Sequence, residues 1–307
     1  MKNKIFQFFR RVDWFLAKRI FRKRTYKRRL KDFEMYLDLI TPGISKTLAV
    51  YKSREDDMIQ VIKEELKPGM TVIDCGSNIG FYPLLEANIL KNSGSIYAIE
   101  PDSRNYNILK KNVELCQYGT TIKPFQMAVS NQNGVSKMFV TEQSNLNKLS
   151  SNDDEIFSER HSVDSTVDVK TITMDDFCNQ ESIIPNFVRM DIEGFEVEVF
   201  QGMQNLFSDA KSGFMVFLEL HPHAYSEERS FARELEKLFD IGYFAKILIS
   251  AGEPIPPKYK EFGYTPKMEI VSDGFIRGFY DNVRNEHVIP LTCVQPKASR
   301  YVLLSKR

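Results

Sequence analysis

Apolar residues recur along this chain with two distinct periods. Near the start, Ile5, Phe8, Phe9, Val12, Leu16 and Ile20 repeat at three- and four-residue spacing. That spacing predicts an amphipathic helix over MKNKIFQFFRRVDWFLAKRIF, with Lys4, Arg11, Lys18 and Arg22 on the opposite side. Residues 32–50 read as a short helix and a turn centred on Thr41-Pro42-Gly43. Residues 54–66 predict a second amphipathic helix, with Met58, Val61, Ile62 and Leu66 inward, stopped by Lys67-Pro68-Gly69. At 70–75 the pattern changes to MTVIDC, a nearly continuous apolar run expected of a strand covered on both faces.

Apolar runs and helical periods then alternate. The turn Gly76-Ser77-Asn78-Ile79-Gly80 leads into a helix to about Leu90, a strand at 95–100 and a helix at 103–116. Strands are expected near 121–127 and 135–140. Residues 141–166 are polar, rich in Ser and Asn and without a period, and read as a mobile loop or lid. A strand near 167–173 precedes a buried strand at 187–191, a helix at 195–207 and an apolar strand at 214–220. A helix at 227–240 and a strand near 243–249 follow, and beyond EPIPPKY (253–259) the pattern becomes irregular. Strands alternating with helices predict an α/β fold with a parallel sheet. The expected division is a basic arm, 1–31, and one domain, 32–307, with its core at about 43–250 and an irregular part at 251–307.

Charge sharpens that division. The arm holds thirteen Lys and Arg against the single Asp13, a formal +12, so in a chain of net charge +1 the other 276 residues carry −11. A basic helix with an aromatic face suits an anionic membrane surface, where each cation adds about 1 kcal/mol. Packing on the domain or on a partner chain is the plainer alternative. RKRTYKRR (22–29) invites nucleic acid, but no RNA-binding sheet signature accompanies it, and nucleic acid is not the expected partner. Cys75, Cys116, Cys178 and Cys293 are scattered, which gives neither a zinc motif nor a disulfide framework and points to a reducing, cytoplasmic compartment. No apolar run is long enough to span a bilayer, and no signal-peptide pattern is present.

The chemistry gathers where strands are expected to end, the place where open α/β sheets bind ligands. Gly76 and Gly80 allow a tight turn with close backbone approach, and Asp74 can accept from an ammonium group or orient the loop. Glu100, twenty residues after Gly80, can accept both hydroxyls of a ribose. A nicotinamide site calls for a third glycine and an anion-friendly turn. Here Asn78 and Asp74 suit a ligand with an amine and a sulfonium, S-adenosylmethionine (SAM), better.

VIDCGSNIGFY, IEPDSRNYNILKKNV and VRMDIEGFEVEVFQG together resemble the FkbM family of SAM-dependent methyltransferases, over about 43–220. The resemblance implies a Rossmann-like, seven-stranded class I SAM-dependent methyltransferase sheet with helices on both faces. It also implies O-methylation of a hydroxyl on a sugar, glycan or glycolipid. By position, Asp74, Gly76, Ser77, Asn78 and Gly80 surround the methionine part of SAM, Glu100 and Pro101 the ribose, and Asn105 and Ala128 the adenine. Two residues depart from the family pattern: Ser77, where Ala is usual, and Arg189, where Lys is common. An arginine cannot serve as a base near neutral pH.

Asp191, Glu193, His221 and His223 are the candidate bases for removing a hydroxyl proton, with Asp191, Glu193 and His221 foremost. Asp191, Glu219 and His221 have the donor chemistry for one divalent cation, magnesium or manganese. His161 and His287 are expected to be solvated. A nicotinamide-dependent oxidoreductase and a scaffold without turnover are the alternative functions. The acceptor and the oligomeric state are not specified by the sequence.

Overall fold

The computed structural model describes residues 2–20, 24–41, 43–142, 147–150 and 163–307. Helix α1 (Lys2–Phe15), continued by a wider turn over Leu16–Ile20, leads to a hairpin of β1 (Thr25–Arg29) and β2 (Glu34–Asp38). Helices α2 (Gly43–Tyr51) and α3 (Asp56–Glu65) follow. Within 32–50, read as a short helix and a turn, the first part is thus a strand and the helix begins at Gly43. Met35, Leu37 and Leu39 alternate inward with a strand's period of two, and only the second half coils.

Strand β3 (Thr71–Cys75), helix α4 (Phe81–Ile89), β4 (Ser95–Ile99), α5 (Ser103–Leu115) and β5 (Ile122–Phe125) form a β-α-β-α-β unit. A side sheet then holds β6 (Ala128–Ser130), β7 (Gly134–Thr141), β8 (Lys148–Leu149) and β9 (Val163–Thr173), ordered β6-β9-β7-β8. The region read as a lid thus contributes β8 and the start of β9, while 143–146 and 151–162, with His161, lie outside the described residues. Next come α6 (Met174–Glu181), β10 (Phe187–Met190), α7 (Glu196–Gln201), α8 (Gln204–Asp209), β11 (Met215–Glu219), α9 (Phe231–Asp240) and β12 (Tyr243–Ser250). The expected helix at 195–207 breaks at Gly202, where a Cβ would stand 2.2 Å from the Ser130 carbonyl oxygen. The C-terminal part is regular, a correction to the sequence reading: α10 (Pro257–Glu261), β13 (Met268–Ser272), β14 (Phe275–Tyr280), α11 (Asn285–Thr292) and β15 (Ser299–Lys306).

The main sheet has nine strands in the order β13-β14-β12-β15-β11-β10-β3-β4-β5. Strands β3, β4, β5, β10 and β11 pair in parallel, and β15 enters antiparallel between β11 and β12. The sheet is thus a large mixed one of nine strands rather than the seven expected, with the hairpin β13-β14 at one edge. Alternate side chains feed opposite cores. Ile73, Tyr97 and Val188 join one apolar cluster, and Val72, Ile96 and Phe187 the other, as a sheet covered on both faces requires. From β3 the chain moves outward to β4 and β5, and from β10 it moves the other way to β11. The sheet therefore changes direction between β3 and β10, and the crevice beyond that point is where such sheets bind ligands.

Helix α1 sits on this body in an unusual pose. Trp14, with Ala17 just beyond the helix, is buried in the second cluster. The predicted apolar face points away: Phe8 and Phe9 are each 63% exposed, Ile5 55% and Ile20 60%.

Candidate active site

A cavity of about 310 Å³ opens at the switch between β3 and β10, within the range of small-molecule sites. Gly76, Ser77, Asn78, Glu100, Pro101 and Ala128 border one end, and Asp191, Glu193, Glu219 and His221 the other. Nine of the twelve residues expected to hold cofactor or do chemistry therefore line one space. The other three, Asp74, Gly80 and Asn105, lie behind its wall.

Asp74 is fully buried at the end of β3. The Ser77 hydroxyl donates to its Oδ1 at 2.6 Å and Arg189 Nη1 to its Oδ2 at 3.2 Å, so its carboxylate orients the loop from beneath. Glu86 of α4 is also fully buried, and burial together with the nearby Asp74 pushes its carboxyl well up. Gly76, at φ +79°, could not carry a side chain: a Cβ would lie 2.0 Å from the Asp191 carbonyl oxygen. This close approach packs the β3 loop directly against the β10 loop.

At the far end of that loop the Asn78 amide donates to Glu100 Oε2 at 2.7 Å, and the Asp102 amide to Oε1 at 2.9 Å. With a further bond from the Asn105 side chain, these leave the carboxylate room to accept about one more. Burial pushes Glu100 up to about 8 despite these bonds. Asn105 thus braces Glu100 from within α5, with its own amide donating to Asp102 at the helix N-terminus.

Arg189, on β10, is the hub of the other wall. Its guanidinium lies 3.7 Å from the centre of the Tyr82 ring, and its Nη2 donates to Asp191 Oδ2 at 3.0 Å. Burial opposes its charge, but Asp74 and Asp191 overcome this and raise its pKa. Behind Tyr82 is a chain of charges that sequence spacing did not reveal. The Tyr82 hydroxyl donates to Glu55 at 2.6 Å, Glu55 pairs with Arg54 and with Arg300 at 3.0 Å, and Arg300 reaches Glu219 at 3.1 Å. These partners are separated by up to 245 residues and meet only because β15 inserts beside β11.

After β10, Glu193 (φ 52°) and Gly194 (φ 94°) both take left-handed backbone. At Gly194 a Cβ would meet the Ala224 Cβ at 2.6 Å, and at Glu193 the conformation costs about 1 kcal/mol. The strained turn aims Glu193 at His221: Glu193 Oε2 lies 3.5 Å from its Nε2, and Glu196 Oε1, on α7, 2.7 Å from its Nδ1. Burial alone would lower the His221 pKa, but Glu196 and then Glu193 lift it to about 10, so the ring is an imidazolium at neutral pH. Burial pushes Glu193 up to about 8 against the pull of His221. Glu196, missed as a site residue, was legible as the continuation of the Asp191-Ile192-Glu193-Gly194 motif.

His223 is exposed and does not border the cavity. His287 is not solvated as expected. It stacks on Phe262 at 4.2 Å and accepts from or donates to the Tyr264 hydroxyl at 2.9 Å.

Asp191, Glu219 and His221 can each offer one ligand atom, all within 4.8 Å of one another, the one such group among the described residues. The fit is partial: His221 would have to release Glu193 and lose a proton that its neighbours hold, and binding would compete with that proton.

An acid-lined crevice at the turning point of a parallel sheet, closed by a strained Asp-x-Glu-Gly turn, is the architecture of an α/β group-transfer enzyme. The chain belongs to the FkbM methyltransferase family: the model for the methyltransferase FkbM domain matches residues 74–245, more than half of its length. Among curated proteins it is similar to the hexuronic acid methyltransferase AglP of Haloferax volcanii, at 27% identity over 168 residues, covering 54% of this chain. The match spans 62% of that relative, less than two thirds of its length. Among solved structures it is similar to a methyltransferase FkbM from Methylobacillus flagellatus, at 17% identity and a TM-score of 0.36, covering 50% of this chain and 33% of that one. It is also similar to an O-methyltransferase from Bacillus cereus in complex with SAH, at 9% identity and a TM-score of 0.40, covering 81% and 79% of the two chains.

Proposed function

We propose that this methyltransferase transfers the methyl group of SAM to a hydroxyl of a sugar within a glycan or glycolipid. The observation that carries the reading is the two-ended cavity, with a buried carboxylate for a ribose at one end and a carboxylate–imidazolium cluster at the other. AglP acts on a hexuronic acid, and its similarity supports a sugar acceptor. Bound SAM supplies an electrophilic methyl on a positively charged sulfur. On the protein's side, Gly76, Ser77 and Asn78 border the methionine part, Glu100 accepts from the ribose beside Pro101, and Ala128 shapes the adenine end.

The acceptor hydroxyl must lose its proton as its oxygen forms the new bond to carbon. His221 is already protonated and cannot take that proton. Asp191 and Glu193 are the acceptors, with Glu193 competent once ionised. The imidazolium, fixed by Glu196, holds Glu193 in place and stabilises its charge. General-base help of this kind contributes roughly 10²–10⁴-fold. Arg189 stays charged and positions Asp191.

Magnesium or manganese at Asp191, Glu219 and His221 is a second reading of the same cluster, favoured by the convergence of their ligand atoms. Heat on titrating the chelator-treated protein with either ion, lost in Glu219→Ala, would establish it, and no heat would remove it.

The exposed aromatic face of α1 beside a +12 arm supports peripheral contact with an anionic membrane at its cytoplasmic side. Among the described residues no helix is long and apolar enough to cross one. The test of the main reading is calorimetric titration with S-adenosylhomocysteine (SAH) on the wild type and Glu100→Ala. This is followed by assay of label transfer from methyl-labelled SAM to glycan acceptors. Micromolar binding weakened in the variant is expected, and absence of binding by folded protein would overturn the proposal.

A further inference from the structure

The cavity does not end at its acceptor side. Ile44, Arg54, Glu55 and Arg300 border both it and a second hollow of about 760 Å³. Thr47 and Tyr51 in turn border that hollow and a third, of about 690 Å³, which lies under α1. The three form one trough along α2. Ile44, Thr47 and Tyr51 follow one another at helical spacing on the side of α2 that floors it. Seven residues of helix advance about 10 Å, on the scale of a short oligosaccharide.

The far end of the trough has its own chemistry. Arg11, Lys18, Arg19 and Lys46 line it, and no carboxylate does. Arg11 donates to the Tyr51 hydroxyl at 3.1 Å, while Lys18, Arg19 and Lys46 have no ion pair among the described residues. In a domain whose body carries −11 this is a concentrated cationic seat. Phe15, 57% exposed, stands at its rim, next to the outward apolar face of α1. A phosphate group and a hydrocarbon chain are what such a rim fits, in that order from the trough outward.

We propose that the acceptor glycan is carried on a membrane lipid through a phosphate or diphosphate ester, and that this ester is seated among Arg11, Lys18, Arg19 and Lys46. The sugar then occupies the middle hollow and presents its hydroxyl to Asp191 and Glu193. The lipid chain leaves along Phe15 and the exposed face of α1 into the bilayer. The proposal rests on the methyltransferase reading for the role of the inner cavity. The seat itself stands on the lining charges.

The experiment uses the full chain, with Lys46→Glu as the test variant and Lys31→Glu as a control. Lys31 is an exposed cation of the same arm outside this hollow. Partition is measured onto phosphatidylcholine vesicles carrying a small fraction of polyprenyl phosphate, and onto vesicles matched in charge with phosphatidylglycerol. Free inorganic diphosphate serves as competitor, and SAH titration runs in parallel. The wild type is expected to favour polyprenyl phosphate, Lys46→Glu to lose about tenfold on those vesicles, and Lys31→Glu to fall equally and slightly on both.

Equal partition onto both vesicles would overturn the proposal, leaving α1 a charge-driven anchor. Diphosphate binding as tightly as the lipid would overturn it in favour of a soluble phosphate. Loss of SAH binding with the lipid preference intact would sink the cofactor reading alone, and intact SAH binding without the preference would sink the seat alone.

Discussion

Glu196 Oε1 stands 2.7 Å from His221 Nδ1, both groups buried, and its charge is the main influence that pushes the ring facing Glu193 up to about 10. A histidine that enters the reaction already charged is a positioning group for its neighbouring carboxylate. Glu196→Gln removes the charge that holds the ring protonated. The expected result is a fall in kcat of about 10–100-fold, within the range of assisted proton transfer, with SAH affinity unchanged. A merely structural role for Glu196 would instead lower the Tm and leave the turnover of the folded fraction intact.

Glu100 offers its remaining acceptor capacity to the ribose, and hydrogen bonds to a charged group are worth about 1.5–3 kcal/mol. Glu100→Ala is therefore expected to weaken SAH by roughly 10–100-fold. Glu100→Gln, which keeps one acceptor and the shape, should fall between. Calorimetry on the two variants checks the order.

Burial holds Glu100 and Glu193 up to about 8, against an ordinary value of 4.5. Between those values the folded chain keeps protons that the unfolded chain has released, so stability falls as pH rises through the window. His221 works in the same direction higher up: its contribution is full below 6.5 and is lost as pH rises through about 10. The Tm of the ligand-free protein should decline from pH 5 to 8 and decline again toward 10. Glu100→Gln is expected to flatten the first decline. A Tm that rises over this range would contradict the assignment. SAH binding, which draws on ionised Glu100, should tighten over the same range.

The parallel half of the sheet and the two strand-end loops that border the cavity were legible because both obey local rules. A buried parallel strand is a short apolar run, and the turn after it needs glycine where Gly76 passes the Asp191 carbonyl. The C-terminal strand β15 was not legible. Its run, SRYVLLSK, lies within the part read as irregular and pairs with β11 some eighty residues earlier, and nothing local announces such a partner. The Glu55–Arg300–Glu219 chain was hidden for the same reason. The split at Gly202 and the inward period of Met35 and Leu37 were present in the sequence but masked by stronger helical signals nearby.

Gly76 is the tightest point of the site. Its φ of +79° and the 2.0 Å that would separate a Cβ from the Asp191 carbonyl oxygen leave no relief short of moving the β10 loop. Gly76→Ala should cost about 3 kcal/mol or more. Because the loop that must move carries Asp191, SAH binding should fail with it. Denaturant unfolding with unchanged slope, alongside calorimetry, reads both effects.

Arg189 joins Asp74 to Asp191. Removing it strands Asp74, which is fully buried and left with the Ser77 hydroxyl as its main partner. Breaking one side of a buried ion pair costs about 3–5 kcal/mol, which is the loss expected for Arg189→Ala. Arg189→Lys keeps a charge but offers a single point where the guanidinium makes two separate contacts and stacks on Tyr82. It should lose roughly 1–3 kcal/mol, the worth of one charged hydrogen bond. Arg189 itself takes no proton, so Arg189→Lys should leave the pH dependence of kcat where the wild type has it. A new limb appearing only in the lysine variant would show instead that this position can serve as the base.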